Sequence, residues 1–381
     1  MQLFQKFLAV EQDMNGTFVE RNEPIRGNLV AALSGTNILL LGRAGVAKSA
    51  LISQWNRRIV ESVYFEWLLN KFSTPEELFG PYSFTQLEFD KYVRQTKGKL
   101  PEATTAFIDE IFKGNPSVLN AMLKILNERV FYNDYIPTKL DLITVAGASN
   151  EIPESEDGLD AFLDRFLLKY EVEHIKEDGN FLKMLDSDLE VEPKAFITKT
   201  DLVDAQTVVR AVTFPDEMKQ IYVKLRKTLR YEGMNVSDRT YKTSIRLLKA
   251  QAFLAGRDKI DTPDFEILKH VVWTDPNQKK KAQSLILELI APEKNQVYEI
   301  RDNCVQSFDL VFTHKENKKR TDAAVESLHK LKASLTEIAK LRMQMQQRNA
   351  DVSDVERVEN EIEAMKRQLL IDEIGMAKYM K

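Results

Sequence analysis

Lys48 and Ser49 close the run Gly42-Arg43-Ala44-Gly45-Val46-Ala47-Lys48-Ser49, which follows the apolar segment Ile38–Leu41 and leads into a helical pattern. Strand, glycine-containing loop and helix start, in that order, are the setting in which a polyphosphate is held. Backbone N–H groups turn into the loop's concavity, and the positive end of the next helix reinforces them. An ammonium at position 48 then reaches the β- and γ-phosphates, and the hydroxyl at 49 binds Mg²⁺. The candidate nucleotide-binding stretch therefore runs from Gly42 through Ser49 and Ala50. Ala47 stands where glycine usually precedes the lysine. Alanine accepts a right-handed backbone but resists positive φ, so a right-handed loop is expected there.

Two carboxylates, Asp109 and Glu110, end a second apolar run that begins at Thr104. Asp109 is placed to hold Mg²⁺ through water, and Glu110 to orient and deprotonate an attacking water. Asn150 follows the apolar run 140–148. An amide where a parallel strand stops lies on the ligand side of a sheet. Asn150 therefore bonds the γ-phosphate or the attacking water, or else is an ordinary turn residue before Pro153. Arg165 precedes a fifth strand, and a salt bridge to Asp160 or Asp164 is its plainer reading. Arg239 lies in the first turn of a helix opened by Ser237. A cation there opposes the helix dipole, which points to an anionic partner such as a phosphate.

These side chains need a parallel α/β sheet to hold them. Strands are expected at 38–41, 63–69, 104–108 and 140–148, with a fifth after 165. Helices are expected over 2–11, 24–33 (stopped by Gly35), 49–60, 111–128 (interrupted at Gly114-Asn115-Pro116) and 159–163. Phe18 and Val19 either pack on a nucleotide base or fill the core. A helix starts at Thr74-Pro75, and residues 82–99 read as an exposed hairpin or loop insertion, a candidate partner-binding protrusion. A short hairpin is expected over 129–136, turning near Asn133-Asp134. From Lys199 a helical domain follows, with helices near 201–211, 216–231, 237–255 and 262–272. In the last segment, apolar residues from Leu328 to Met345 and from Val355 to Leu369 recur at three- and four-residue steps. They predict an antiparallel two-helix hairpin, joined by a turn across 349–354, that uses up its own apolar stripe. The division expected is 1–190 for a nucleotide-binding α/β domain, 191–275 for an α-helical lid and 276–381 for a helical segment with the coiled-coil-like hairpin.

Composition limits the alternatives. With 381 residues, 43% of them hydrophobic, and a formal charge of −4, the chain supports a globular core and is not a generally basic nucleic-acid binder. The single cysteine, Cys304, excludes an intramolecular disulfide, and four scattered histidines argue against zinc. The opening residues lack a basic region followed by a long apolar core, and no apolar run suffices for a membrane span. A cytoplasmic location is expected.

Taken together, Gly42–Ser49, Asp109-Glu110, Asn150, Arg165 and Arg239 resemble, in order, the Walker A, Walker B, sensor 1, arginine-finger and sensor 2 elements of AAA+ ATPases. The Ala-Lys-Ser form of the first motif is similar to the MoxR branch. The stretches 72–81, 100–129, 148–153, 163–166 and 236–257 resemble its RavA subgroup, as does the C-terminal hairpin. This resemblance implies an AAA+ core with a helical lid, ATP and Mg²⁺ as ligands, and a ring-shaped homo-oligomer, typically hexameric. It implies chaperone-like remodelling alongside a protein carrying a von Willebrand factor A domain. It further implies that Arg165 acts on a neighbouring subunit's nucleotide, while Arg239 acts from the lid of its own subunit. The other readings are a nucleotide-gated scaffold with little turnover and a DNA-acting motor, the latter disfavoured by the acidic balance.

Overall fold

The computed structural model describes residues 2–150, 160–189, 191–313, 317–347 and 352–372. The chain divides into two compact units, 1–282 and 283–381. Pro153 and part of the 349–354 turn lie outside the described residues.

The first unit is built on β1 (Ile38–Leu41), β2 (Ile59–Val60), β3 (Tyr64–Leu68), β4 (Thr105–Asp109), β5 (Val130–Asn133), β6 (Ile136–Lys139), β7 (Thr144–Ser149), β8 (Leu168–Glu171) and β9 (Ile197–Thr198). Five of these form one sheet in the order β3-β4-β7-β1-β8, with every pairing parallel. All of β1 and β7 is buried, as expected of strands covered on both faces. Because the strands are parallel, Gly42, Glu110 and Asn150 all follow the same edge of the sheet.

Around the sheet run α1 (Leu3–Thr17), α2 (Asn22–Ser34), α3 (Lys48–Asn56), α4 (Pro75–Phe79), α5 (Phe84–Leu87), α6 (Pro116–Glu128), α7 (Asp160–Leu163) and α8 (Asp178–Leu185). Gly35 ends α2 in a left-handed conformation, the stop its position predicts. Asn115 caps α6 by accepting from the Val118 N–H at 3.1 Å, with Pro116 in the first turn. The helix expected over 49–60 instead ends at Asn56, and Ile59–Val60 pairs with Ile197–Thr198. The reason is tertiary. Arg58, fully buried, donates to Asp13 Oδ2 at 2.9 Å and to the Gln54 carbonyl at 2.7 Å. That fixes the chain in a turn and commits the β-branched pair behind it to a strand.

Residues 82–99 form an insertion closed by an antiparallel bridge between Tyr82 and Arg94. The neighbouring β5–β6 hairpin turns at Asp134-Tyr135, both at positive φ as a two-residue hairpin turn of type I′ requires. Asn133 and Asp134 tie the two protrusions together, accepting from the Arg94 N–H at 2.7 Å and the Tyr92 N–H at 2.9 Å.

The helical part of this unit comprises α9 (Lys199–Ala211), α10 (Asp216–Tyr231) and α11 (Asp238–Leu254). Thr198 and Asp201 form a reciprocal cap at the start of α9, and Ser237 caps α11. The helix expected over 262–272 is a run of 3₁₀ turns over Thr262–His270.

After α12 (Lys279–Ile290) the second unit holds α13 (Pro292–Thr313), α14 (Asn317–Gln347) and α15 (Ser353–Asp372). The two expected helices are present as α14 and α15, but they do not use up their own apolar stripe, because α13 packs on the pair to make a three-helix bundle. Val297, Cys304 and Val311 of α13 share one buried core with Leu331, Ile338 and Val358. Three side chains repeating every seven residues give α13 a narrow seam of its own. Arg301 locks that seam to α15, donating to both carboxylate oxygens of Glu361 at 2.6 Å.

Candidate functional site

The loop after β1 is shaped by close backbone approach. A Cβ at Gly42 would strike the Val172 carbonyl oxygen, so only glycine fits. Gly45 takes φ +85° and Ala47 φ +66°. The right-handed loop expected at Ala47 is thus overturned. The turn that aims the N–H groups inward requires a left-handed residue just before α3, whichever side chain occupies it. An L-residue there costs about 1–2 kcal/mol. Ala47→Gly, after allowance for the extra freedom it gives the unfolded chain, should stabilise the first unit by about 1 kcal/mol. Thermal unfolding should rise by roughly 2–4 °C with nucleotide capture unchanged.

Lys48 opens α3 and folds back over the loop. Its ammonium donates to the Gly42 carbonyl, to the Arg43 carbonyl at 3.1 Å and to Asn150 Oδ1 at 3.3 Å. Burial pulls its pKa down, opposed by Asp109 and Glu110. Ser49 Oγ donates to Asp109 Oδ2 at 3.4 Å, bringing together the hydroxyl and carboxylate that sequence assigned to Mg²⁺. Among the described residues no group of three or more His, Cys, Asp or Glu gathers as a metal cage. One carboxylate, one hydroxyl and phosphate oxygens form the kind of set Mg²⁺ accepts.

Glu110 sits at φ +51°, a strained position directly after β4. Its Oε1 accepts from Asn150 Nδ2 at 2.8 Å and pairs with Lys113 Nζ at 3.1 Å. Its Oε2 is buried without a hydrogen-bond partner. A buried carboxylate oxygen left open suits a site that takes a further donor, such as water. The loop, both carboxylates and Asn150 thus converge at one edge of the sheet.

The two remaining arginines lie elsewhere. The Arg165 carbonyl accepts from Asn37 Nδ2 at 2.9 Å, and Asn37 immediately precedes β1. Gly42 follows the other end of that strand, about 16 Å away at ~3.3 Å per residue. Arg165 Nη1 pairs with Asp164 at 3.2 Å, as its plainer reading proposed, yet its Nε is buried and unpartnered. Arg239 donates to Asn127 Oδ1 near the end of α6. It stands close enough to Arg165 that, after burial, its charge is the next cause lowering the Arg165 pKa, opposed by Asp164. Arg239 is therefore placed beside Arg165, at the sheet edge opposite the loop of its own chain.

Several contributors escaped sequence reasoning. Lys113 is legible only as a basic residue three positions after Glu110. Arg21, next to the Phe18-Val19 pair, donates to the Glu173 carbonyl at 2.7 Å and the Val46 carbonyl at 3.4 Å, bracing the phosphate loop. Phe18 itself is buried. Arg129 binds Asn37 Oδ1 at 2.6 Å, and burial, with Arg246 nearby, lowers its pKa to about 10. No local pattern marks the roles of Arg21 and Arg129, because each depends on segments distant in the chain.

Comparison with known proteins agrees with this layout. A family model described as the MoxR domain in MoxR-vWA-beta-propeller ternary systems matches residues 5–211, and one for an AAA lid domain matches 217–286. Two uncharacterised proteins of Methanocaldococcus jannaschii are similar. MJ0812 is 39% identical over 281 residues, 74% of each chain, and MJ0079 is 35% identical over 347 residues, 90% of each. The structural protein ORF618 of Acidianus two-tailed virus is 27% identical over 222 residues, 54% of this chain and 35% of that protein. In fold, the crystal structure of a proposed ATPase from Cytophaga hutchinsonii aligns with TM-score 0.60 at 18% identity, covering 75% of this chain and 94% of that one. The parallel sheet, the phosphate loop and the match over the first 211 residues make the chain a member of the MoxR branch of AAA+ ATPases.

Proposed function

We propose that the protein hydrolyses ATP with Mg²⁺ in a ring of identical subunits, each nucleotide being shared by two of them. One observation carries this reading: the phosphate-facing residues and the paired arginines occupy opposite sheet edges of a single chain. Phosphoryl transfer needs positive charge on the departing phosphate, and an arginine supplied from a neighbour contributes on the order of 10³–10⁵ in rate. Gly42–Ala50 grip the phosphates, with Lys48 moving from the loop carbonyls to the ligand. Ser49 and Asp109 hold Mg²⁺, which neutralises phosphate charge. Glu110 takes the proton of the attacking water, and Asn150 orients that water or the γ-phosphate. Arg165 and Arg239 both serve the next subunit's nucleotide, so Arg239 acts across the interface rather than within its own subunit. Along the chain, 1–190 is read as the nucleotide-binding part, 191–275 as the lid and 276–381 as the C-terminal helical part.

The MoxR-vWA wording of the matching family model supports a von Willebrand factor A-domain protein as partner. On the resemblance to the RavA subgroup, the reading extends to chaperone-like remodelling in the cytoplasm. Among the described residues no helix is long and apolar enough to cross a membrane. The hold of Asn150 and Lys113 on Glu110 favours one second reading, a ring that assembles on nucleotide and turns over little. Steady-state turnover and particle mass, each with ATP and with a non-hydrolysable analogue, separate the two. Assembly with negligible hydrolysis would support the scaffold. Lys48→Ala is expected to lose both capture and turnover; ATP capture undiminished in that variant would refute the assignment of the loop.

A further inference from the structure

We infer that the apolar face of α8, beside the phosphate loop, is the surface on which a second copy of this chain packs. The inference rests on the shared-nucleotide reading above. None of the eight residues of α8 is buried, and Phe181, Leu182 and Leu185 are 48%, 61% and 62% exposed. Leu189 and Phe196, further along the same segment, are exposed as well. So short a helix does not persist in water on its own propensity, and a cluster of exposed large apolar side chains marks a contact surface.

What holds α8 is its first turn. Glu20 accepts from the Lys176 N–H at 3.0 Å, the Glu177 N–H at 3.2 Å and Asn180 Nδ2 at 3.0 Å. Glu20 adopts φ +55° to do so, and the next residue, Arg21, is the one that braces the Val46 carbonyl of the phosphate loop. Two successive residues thus fix α8 to the rim of the nucleotide site.

Charge identifies the occupant. Residues 173–192 hold seven Asp or Glu against two Lys, whereas 216–249 hold nine Lys or Arg against four Asp or Glu. The second segment spans α10 and most of α11 and exposes Val223 and Tyr231. Arg226 pairs with Asp238 at 3.1 Å, which sets that basic face directly beside Arg239. One rim is acidic and apolar and is tied through Glu20 and Arg21 to the loop after β1; the other is basic with apolar spots and borders the arginine pair. Packing the second rim of one copy onto the first rim of the next covers α8 and carries Arg165 and Arg239 to the phosphates in a single head-to-tail contact.

The test uses the full chain in a Glu110→Gln background with ATP bound. Phe181→Ser, Leu182→Ser and Leu185→Ser together alter only exposed side chains. Nucleotide capture and thermal unfolding should be unchanged, while the concentration for half-assembly rises at least about tenfold, read by sedimentation. Asp186→Lys alone should also weaken assembly, and Lys224→Glu with Lys227→Glu in the same chain should recover part of it. Assembly at the original concentration in the triple variant overturns the proposal. So would a variant that assembles normally but has lost binding to vesicles or to a different protein. Complementation between arginine and glutamate variants, described below, tests nucleotide sharing separately, so the two ideas can fail independently.

Discussion

Arg165→Ala is expected to lower ATP turnover about 10³–10⁵-fold, the contribution of an arginine reaching the γ-phosphate from a neighbour. Its binding of ATP should persist, because Gly42, Lys48 and Ser49 all belong to the opposite sheet edge. The decisive measurement mixes this variant with Glu110→Gln. A site with an intact glutamate from one variant and an intact arginine from the other becomes competent, about a quarter of sites in random equimolar rings. Activity should therefore return on mixing two inactive preparations. Arg239→Ala should behave in the same way, since Arg239 stands beside Arg165. Were Arg239 to act within its own subunit, mixing would restore Arg165→Ala but not Arg239→Ala.

Glu110→Gln is the second large effect, a fall of roughly 10²–10⁴ in kcat, the range for loss of a general base. A glutamine keeps a carbonyl oxygen for Asn150 and Lys113, so the strained turn after β4 should survive and ATP should remain bound. Isothermal binding of ATP together with single-turnover hydrolysis reads the two properties separately. Unchanged turnover would remove Glu110 from the proton-transfer step.

The phosphate loop and the carboxylate pair were legible in sequence because each is a local event, a strand running into a turn whose residue types are set by what the turn must face. Gly35, Ser237 and the Thr74-Pro75 helix start were readable for the same reason. Ala47 departs from the right-handed expectation because a steric preference of about 1–2 kcal/mol yields when the loop and α3 together demand a left-handed residue. Val60 lies in a strand and not in the helix its local pattern suggests, because the buried Arg58 network that ends α3 draws on Asp13, far back in the chain. The third helix of the C-terminal bundle did leave a trace, with Val297, Ile300, Cys304, Phe308 and Val311 at three- and four-residue steps, but only Val297, Cys304 and Val311 of these are fully buried. The position of Arg239 was beyond any local rule, since it depends on where α11 docks.

The placement of α6 has a mechanical consequence. This helix begins six residues after Glu110 and ends beside Asn127, which holds Arg239, and Arg129, which grips Asn37. Thirteen helical residues make a stiff rod of about 20 Å. A small tilt at the end nearer Glu110 would reach Asn127, and through it Arg239, at the other end. In a closed circle of subunits such a lever would let the progress of one reaction set the readiness of the next, as in a relay.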